Sequence, residues 1–237
     1  MSTNRPSPQP NLKGSVVAAA LCFPEIGPSM LEAEPIRSID PDSLDGGALY
    51  RLCTSLVVPR PIAWVSTISS EGQPNLAPFS FFNAVSDQPA VLMLSIGARR
   101  DREKDTLRNI RQTRCLAVHV VDERLAGAMN ITATDYPAGT NEFEAAALAA
   151  VPSSRIAAPR LRDAAACLEC ELLKLIPVPG TTFTMVLGQV VMLHVQERCL
   201  GPSGTASAEA LRPVGKLALN DYTRLGEMFE LVRPTLG

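Results

Sequence analysis

Four basic residues, Arg99, Arg100, Arg102 and Lys104, run directly into a segment with helical character, and this is the first sign of chemistry in the chain. Residues Lys104 to Thr113 read as a helix, with Asp105 or Thr106 in the capping position. A helix start carries free backbone N–H groups and partial positive charge, so a basic loop delivered to it is a place where a phosphate could sit. The basic residues also alternate with Asp101, Glu103 and Asp105, so the same stretch reads equally as a solvated, self-neutralising charge run. Other polar groups lie nearby: Ser66, Thr67 and Ser80 offer hydroxyls, and Asn83 and Asn109 offer amides that cap or hold turns. Ser66 and Thr67 point in opposite directions along a strand, so at most one of them faces a ligand. His119 and His194 sit in apolar strand text, where a lone histidine is more often a satisfied core group than a catalyst. Cys167-Leu-Glu-Cys170 is a lone CxxC in a predicted strand whose i and i+3 positions face opposite sides, which argues against metal or redox use. No GxSxG, HExxH, P-loop or GxGxxG pattern occurs.

The elements that must position these groups follow from period and punctuation. Ile62 to Ser69 is apolar, hydroxyl-rich and β-branched, and predicts a strand. Glu71-Gly72-Gln73-Pro74 is a turn, Asn75 to Asn83 returns across the first strand, and Val91 to Ile96 supplies a third. Further strands are predicted over Cys115 to Val121, Ala165 to Ile176 and Thr181 to Val195, the last two as a hairpin across Pro177, Pro179 and Gly180. Helices are predicted over Glu123 to Thr134, Phe143 to Ala150 and Asn220 to Phe229, with a helical turn over Ala48 to Ser55. Many strands separated by turns, with a few inserted helices, predict a mainly β fold: a small barrel decorated by helices.

The residues carry a family resemblance as well. PRPIAWVSTIS-EG-PNLAPFSFFNAVS followed by KDTLRNI resembles the flavin reductase-like family of FMN-binding split β-barrels, the group that includes flavoredoxins. NEFEAAALAAVPSSRI, APRLRDAAACLECEL, VLGQVVMLHV and LRPVGKLALNDYTRL continue in that family's order, so the likeness runs from about Ala48 to Pro234. It implies an oxidoreductase that transfers hydride from NAD(P)H, a co-substrate, to FMN. Protein side chains then have little covalent work to do, because the isoalloxazine carries the reactivity, and no side chain is assigned an acid or base role. Lys104 and Arg100 would offer charge to the phosphate, and the helix start at Asp105 and Thr106 its backbone N–H groups. Ser66, Thr67 and Ser80 would offer hydroxyl donors. The strand Asn75-Leu76-Ala77-Pro78-Phe79-Ser80 would lie against the flavin ring, and Trp64 matches an aromatic that can pack on it. Between Ala63 and Val65, Trp64 also reads simply as core. A transient nicotinamide stacked on flavin needs no dinucleotide fingerprint. The resemblance further implies a homodimer that completes its flavin pockets across the two-fold, and a partner oxygenase that takes the reduced flavin. Two other readings stay open: an electron-transfer flavoprotein that keeps its FMN and serves a specific acceptor, and a flavin-binding scaffold that does not turn over.

Composition bounds these readings. At 237 residues, with 46% hydrophobic and 19% charged residues, one core of good size can be buried. A net charge of −2 gives no general affinity for nucleic acid or an anionic membrane. The six cysteines are scattered in apolar text and read as reduced, buried thiols of a cytoplasmic protein. The apolar run at residues 15–23 is too short to span a bilayer. Residues 1–35, rich in Pro and Ser, predict a disordered or loosely draped arm ahead of a domain over 36–237, with Met30 as an alternative start.

Overall fold

The computed structural model of the chain describes residues 35–98 and 102–234. The arm expected over 1–35 lies outside the described residues but for its last position, and so do Arg99, Arg100 and Asp101. Residues 41–226 form one compact unit; of the residues outside it, the described ones, 35–40 and 227–234, carry neither helix nor strand. Among the described residues no helix is long and apolar enough to cross a membrane.

The larger unit is built on one seven-stranded sheet, antiparallel throughout. Its strands are β1 (Ala63–Ile68), β2 (Pro74–Phe79), β3 (Phe82–Asp87), β4 (Ala90–Gly97), β5 (Cys115–Val120), β8 (Ala166–Pro177) and β9 (Phe183–Val195), with two short strands, β6 (Ala150–Val151) and β7 (Arg160–Leu161), paired separately. The spatial order is β2-β1-β5-β8-β9-β4-β3. The single strand expected over Asn75 to Asn83 is thus two. β2 pairs with β1, and after Ser80 the chain crosses to the far end of the order, where β3 pairs with β4. The Ser95 amide donates to the Phe81 carbonyl at 2.8 Å, adding a rung to the β3–β4 ladder, and β2 also packs against β4, so the two ends of the sheet curl together. This is a split β-barrel, mainly β with inserted helices.

Strand alternation sorts the side chains to two cores. Ala63 and Val65 of β1, Phe79 of β2, Leu92, Leu94 and Ile96 of β4, Leu116 and Val118 of β5, Cys170 and Leu172 of β8 and Val186 of β9 fill the barrel. Leu107 and Ile110 of α2 (Asp105–Thr113) pack into the same core. The outer faces of β1 and β2 send Trp64 and Leu76 into a second cluster with Met129, Phe143, Leu161 and Val214. α3 (Ala126–Ile131) and α4 (Glu142–Ala145) belong to that cover.

The first helix runs longer than the helical turn expected over Ala48 to Ser55: α1 (Gly46–Leu56) is capped by the Asp45 carboxylate on the Ala48 amide at 2.7 Å. The later helices are shorter than the sequence predicts, for local reasons. α3 begins late because Asp122 Oδ1 accepts from the amides of both Arg124 and Leu125, holding a turn where the helix was expected to start. α4 is a single turn, ended by Ala147 at φ 53°. No helix forms over 220–229: β10 (Gly215–Lys216) pairs with β11 (Tyr222–Thr223), and the Lys216 ammonium lies 4.2 Å from the Tyr222 ring centroid. In α2 the N-cap is Lys104, one residue ahead of the expected cap.

Candidate functional site

The break after Gly97 returns the chain through Arg102 and Glu103 to the start of α2, and this return shapes a cavity of about 280 Å³. One wall is β2, through Asn75, Ala77 and Pro78. A second is the segment Arg102 to Thr106 with Ala98. The third is the run from Thr132 to Pro137 with Glu142 at the start of α4.

At the base of the cavity, Lys104 caps α2 without a side-chain acceptor for the helix's first amides. Asp105 and Thr106, the first residues of the helix, line the cavity, so the positive end of the helix dipole borders it. The Lys104 ammonium stands 5.1 Å from the Phe79 ring centroid, a cation–π contact that steers it along β2. Asp105 holds this corner together. Its Oδ2 accepts the Gly139 amide at 2.9 Å, and its Oδ1 pairs with Arg108 at 2.8 Å. The helix start is thereby tied to the third wall.

Behind β2 a buried polar web fixes the wall. Asn75 Nδ2 donates to Thr67 Oγ1 at 3.3 Å and to Thr106 Oγ1 at 3.1 Å, and Asn109 Nδ2 donates to Thr67 Oγ1 at 3.1 Å. From the other side, the Leu76 amide donates to Glu142 Oε2 at 2.9 Å. Burial holds the Glu142 carboxyl above its usual range; the Leu76 amide pulls it down without prevailing, and the charge of Asp105 pushes it up further.

The sequence-assigned residues divide accordingly. Asn75, Ala77, Pro78, Lys104, Asp105 and Thr106 are brought together at the cavity. Arg100 lies outside the described residues. Trp64 is fully buried on the outer face of β1, its indole N–H donating to Thr132 Oγ1 at 2.9 Å. It therefore stands behind the third wall and does not line the cavity. Ser66 and Thr67 are both buried; Ser66 Oγ donates to the Pro159 carbonyl, and Thr67 is the acceptor in the web. Phe79 turns into the barrel core, and Ser80 Oγ accepts from Arg60 Nε at 3.4 Å.

Both histidines are spent on structure. His119 is fully buried between the Trp64 carbonyl, 2.9 Å from Nδ1, and the Leu161 amide, which donates to Nε2 at 2.9 Å. That pairing fixes the neutral tautomer with the proton on Nδ1, and burial lowers its pKa to about 4. His194 Nε2 meets Glu169 Oε1 at 2.6 Å. Burial pushes the Cys167 and Cys170 thiols up to about 12, which leaves them inert. No group of His, Cys, Asp and Glu suited to a metal ion occurs among the described residues.

Sequence reasoning missed Glu142, Thr132, Tyr136 and Gly139. They come from a loop and a helical turn whose text carries no spacing signal; only the chain's return across β2 brings Glu142, Thr132 and Tyr136 to the cavity and Gly139 to Asp105. It also missed Arg60, buried, whose guanidinium donates to the carbonyls of Thr54, Val57 and Leu217 and so ties the end of α1 to the segment after β10. A buried arginine in a Pro-Arg-Pro turn looks like any surface arginine until its acceptors are seen.

Residues 55–211 match the family model described as flavin reductase like domain. A protein of Aquifex aeolicus, described only as uncharacterised, is 41% identical over 181 residues, covering 76% of this chain and 91% of its own length. The crystal structure of nitrilotriacetate monooxygenase component B from Bacillus cereus superposes with a TM-score of 0.81 at 34% identity, covering 84% of this chain and 100% of its own. That of Pseudomonas fluorescens 2-nitrobenzoate 2-nitroreductase superposes with a TM-score of 0.77 at 32% identity, covering 84% of this chain and 97% of its own.

Proposed function

The chain belongs to the flavin reductase-like family, and from that membership and the cavity's donors we propose that it is an NAD(P)H-dependent FMN reductase. The observation that carries the choice of FMN is the α2 start: uncapped amides with Lys104, Arg102 and Thr106 at the cavity form a donor set suited to a phosphate monoester. The residues present fit the group. Lys104, Thr106 and the α2 amides would hold the phosphate, and Asn75, Ala77 and Pro78 of β2 would flank the remainder. Bound there, the flavin supplies hydride acceptance and electron transfer.

The protein's own part is positioning. Asn75, Thr67, Asn109 and Thr106 keep β2 and α2 in fixed register, Asp105 ties the third wall to the helix start, and Trp64 and Thr132 brace that wall from outside. Neither histidine is placed to move a proton to a bound ligand. A homodimer, a cytoplasmic setting and a partner oxygenase that takes the reduced flavin complete the reading, the last supported by likeness to a monooxygenase component B.

A second reading is favoured by the nitroreductase likeness: FMN stays bound and a specific acceptor is reduced. Gel filtration with absorbance detection, followed by steady-state NADH and NADPH oxidation with and without added FMN, separates the two. A reductase that releases flavin emerges colourless and oxidises nicotinamide only when FMN is supplied. A protein that emerges yellow and needs a second acceptor supports the other reading. Flavin-independent silence with every supplement refutes both and leaves a scaffold that does not turn over.

A further inference from the structure

Glu142 is a buried acid in the cavity's third wall, and its position is set by the edge of β2. The register Ile68↔Pro74, Ser66↔Leu76 and Trp64↔Pro78 puts three residues of β2 in one phase. Proline has no N–H, and the Leu76 amide donates to Glu142, so this phase faces away from β1. Along Pro74–Pro78 the outer edge of β2 therefore offers a single amide, and Glu142 Oε2 takes it at 2.9 Å. Glu142 as a residue is 9% exposed, and it lines the cavity.

The charged and titratable groups around it come from few elements. The segment before α2 brings Arg102, Glu103 and Lys104, α2 brings Asp105, and the third wall brings Tyr136. β2 and α3 bring none, and Glu144 of α4 is turned outward to Asn141. Asp105, whose charge opposes that on Glu142, is committed to Arg108 and Gly139. An arriving phosphate dianion adds negative charge to a site of restricted solvent, where a neighbouring carboxyl responds by binding a proton.

We propose that entry of a phosphorylated flavin into this cavity is coupled to uptake of a proton by Glu142, so that binding tightens as pH falls. The proposal rests on the FMN reading of the site. The sign follows from linkage: if the bound state holds more protons than the free state, affinity rises with acidity, by up to about tenfold in Kd per pH unit for one full proton. The phosphate of FMN works in the other direction, since a cationic cradle favours its dianion and releases a proton, its own second pKa being about 6.

The test is calorimetric titration of FMN into wild type and Glu142→Gln, at one pH, in two buffers of different ionisation enthalpy. Glutamine keeps an oxygen for the Leu76 amide and removes the titrating group. Expected is proton uptake by wild type that exceeds that of Glu142→Gln, with a wild-type Kd that falls more steeply toward acid. Equal proton counts in two folded proteins would overturn the coupling while leaving FMN binding in place. Absence of FMN binding by wild type would overturn the functional reading and the coupling with it. Should the variant not fold, wild type alone decides at a pH about two units above the phosphate's second pKa, where free FMN is already a dianion and releases no proton on binding: net uptake with FMN and none with riboflavin supports the coupling, and no net uptake with either ligand refutes it.

Discussion

Glu142 and Glu169 are the same residue type, both buried and both bonded to backbone amides, yet their surroundings drive them in opposite directions. Burial raises each carboxyl. At Glu169 the amides of Ser154 and Arg155, each at 2.7 Å, and His194 at 2.6 Å more than offset it, and the carboxyl is held below its usual range. Arg160 adds an ion pair at 3.6 Å. At Glu142 the donors are too few, and the carboxyl stays raised. The first is a clamp: it pins the loop between β6 and β7 onto β8 and β9. The second is a charge left responsive at the mouth of a cavity. What separates support from function here is the number of donors that meet the charge, not burial.

That contrast breaks most visibly at the clamp. Glu169→Ala strips the acceptor from two backbone amides and leaves His194 and Arg160 without their carboxylate, so it should cost about 3–5 kcal/mol of stability, the range for breaking a buried pair. Urea denaturation measures it, and a loss below about 1 kcal/mol would mean the clamp is ornamental. A second effect comes from His119, held neutral with its pKa near 4 against an ordinary 6.5. Below the ordinary value the unfolded chain takes a proton that the folded one refuses, so stability should fall as pH drops through that window. The full loss is about 3 kcal/mol by the lower end. Glu169, with its lowered pKa, adds loss in the same direction as pH falls through the carboxylate range. His119→Gln, if folded, should flatten the slope between the two His119 values; an unchanged slope would assign acid sensitivity elsewhere. The smallest effect belongs to Glu142→Gln. Because its carboxyl is raised, neutralising it removes an unfavourable charge at neutral pH while keeping an oxygen for the Leu76 amide. Stability should therefore stay level or rise by less than about 1 kcal/mol. A loss as large as that of Glu169→Ala would erase the distinction between the two carboxylates.

The barrel strands were legible in the sequence because alternation and β-branching are local signals, and β1, β5, β8 and β9 lie where they were expected. The division of Asn75 to Asn83 was not, since Ser80 and Phe81 look like strand residues and only the closure of the sheet turns them into a crossing. Half of the cavity was legible for the same reason: Lys104, Asp105 and Thr106 are adjacent in sequence, and Asn75, Ala77 and Pro78 share one strand. The other half, Glu142 with the run from Thr132 to Pro137, depends on a return path that no spacing encodes. Trp64 carried two readings, ring contact and core, between which residue type alone does not choose. Its indole fits a ring contact in principle, but strand phase sends it outward to Thr132 while Val65 takes the barrel side.

The account stands most directly on the phosphate cradle at the start of α2. Titration of FMN and of riboflavin into wild type and Lys104→Ala measures it. The loss of a hydrogen bond to a charged group should weaken FMN by about 1.5–3 kcal/mol, roughly ten- to 150-fold in Kd, and leave riboflavin, which lacks the phosphate, unchanged. Equal weakening of both ligands would make Lys104 a structural residue beside Phe79, and unaltered FMN binding would move the phosphate away from α2 altogether.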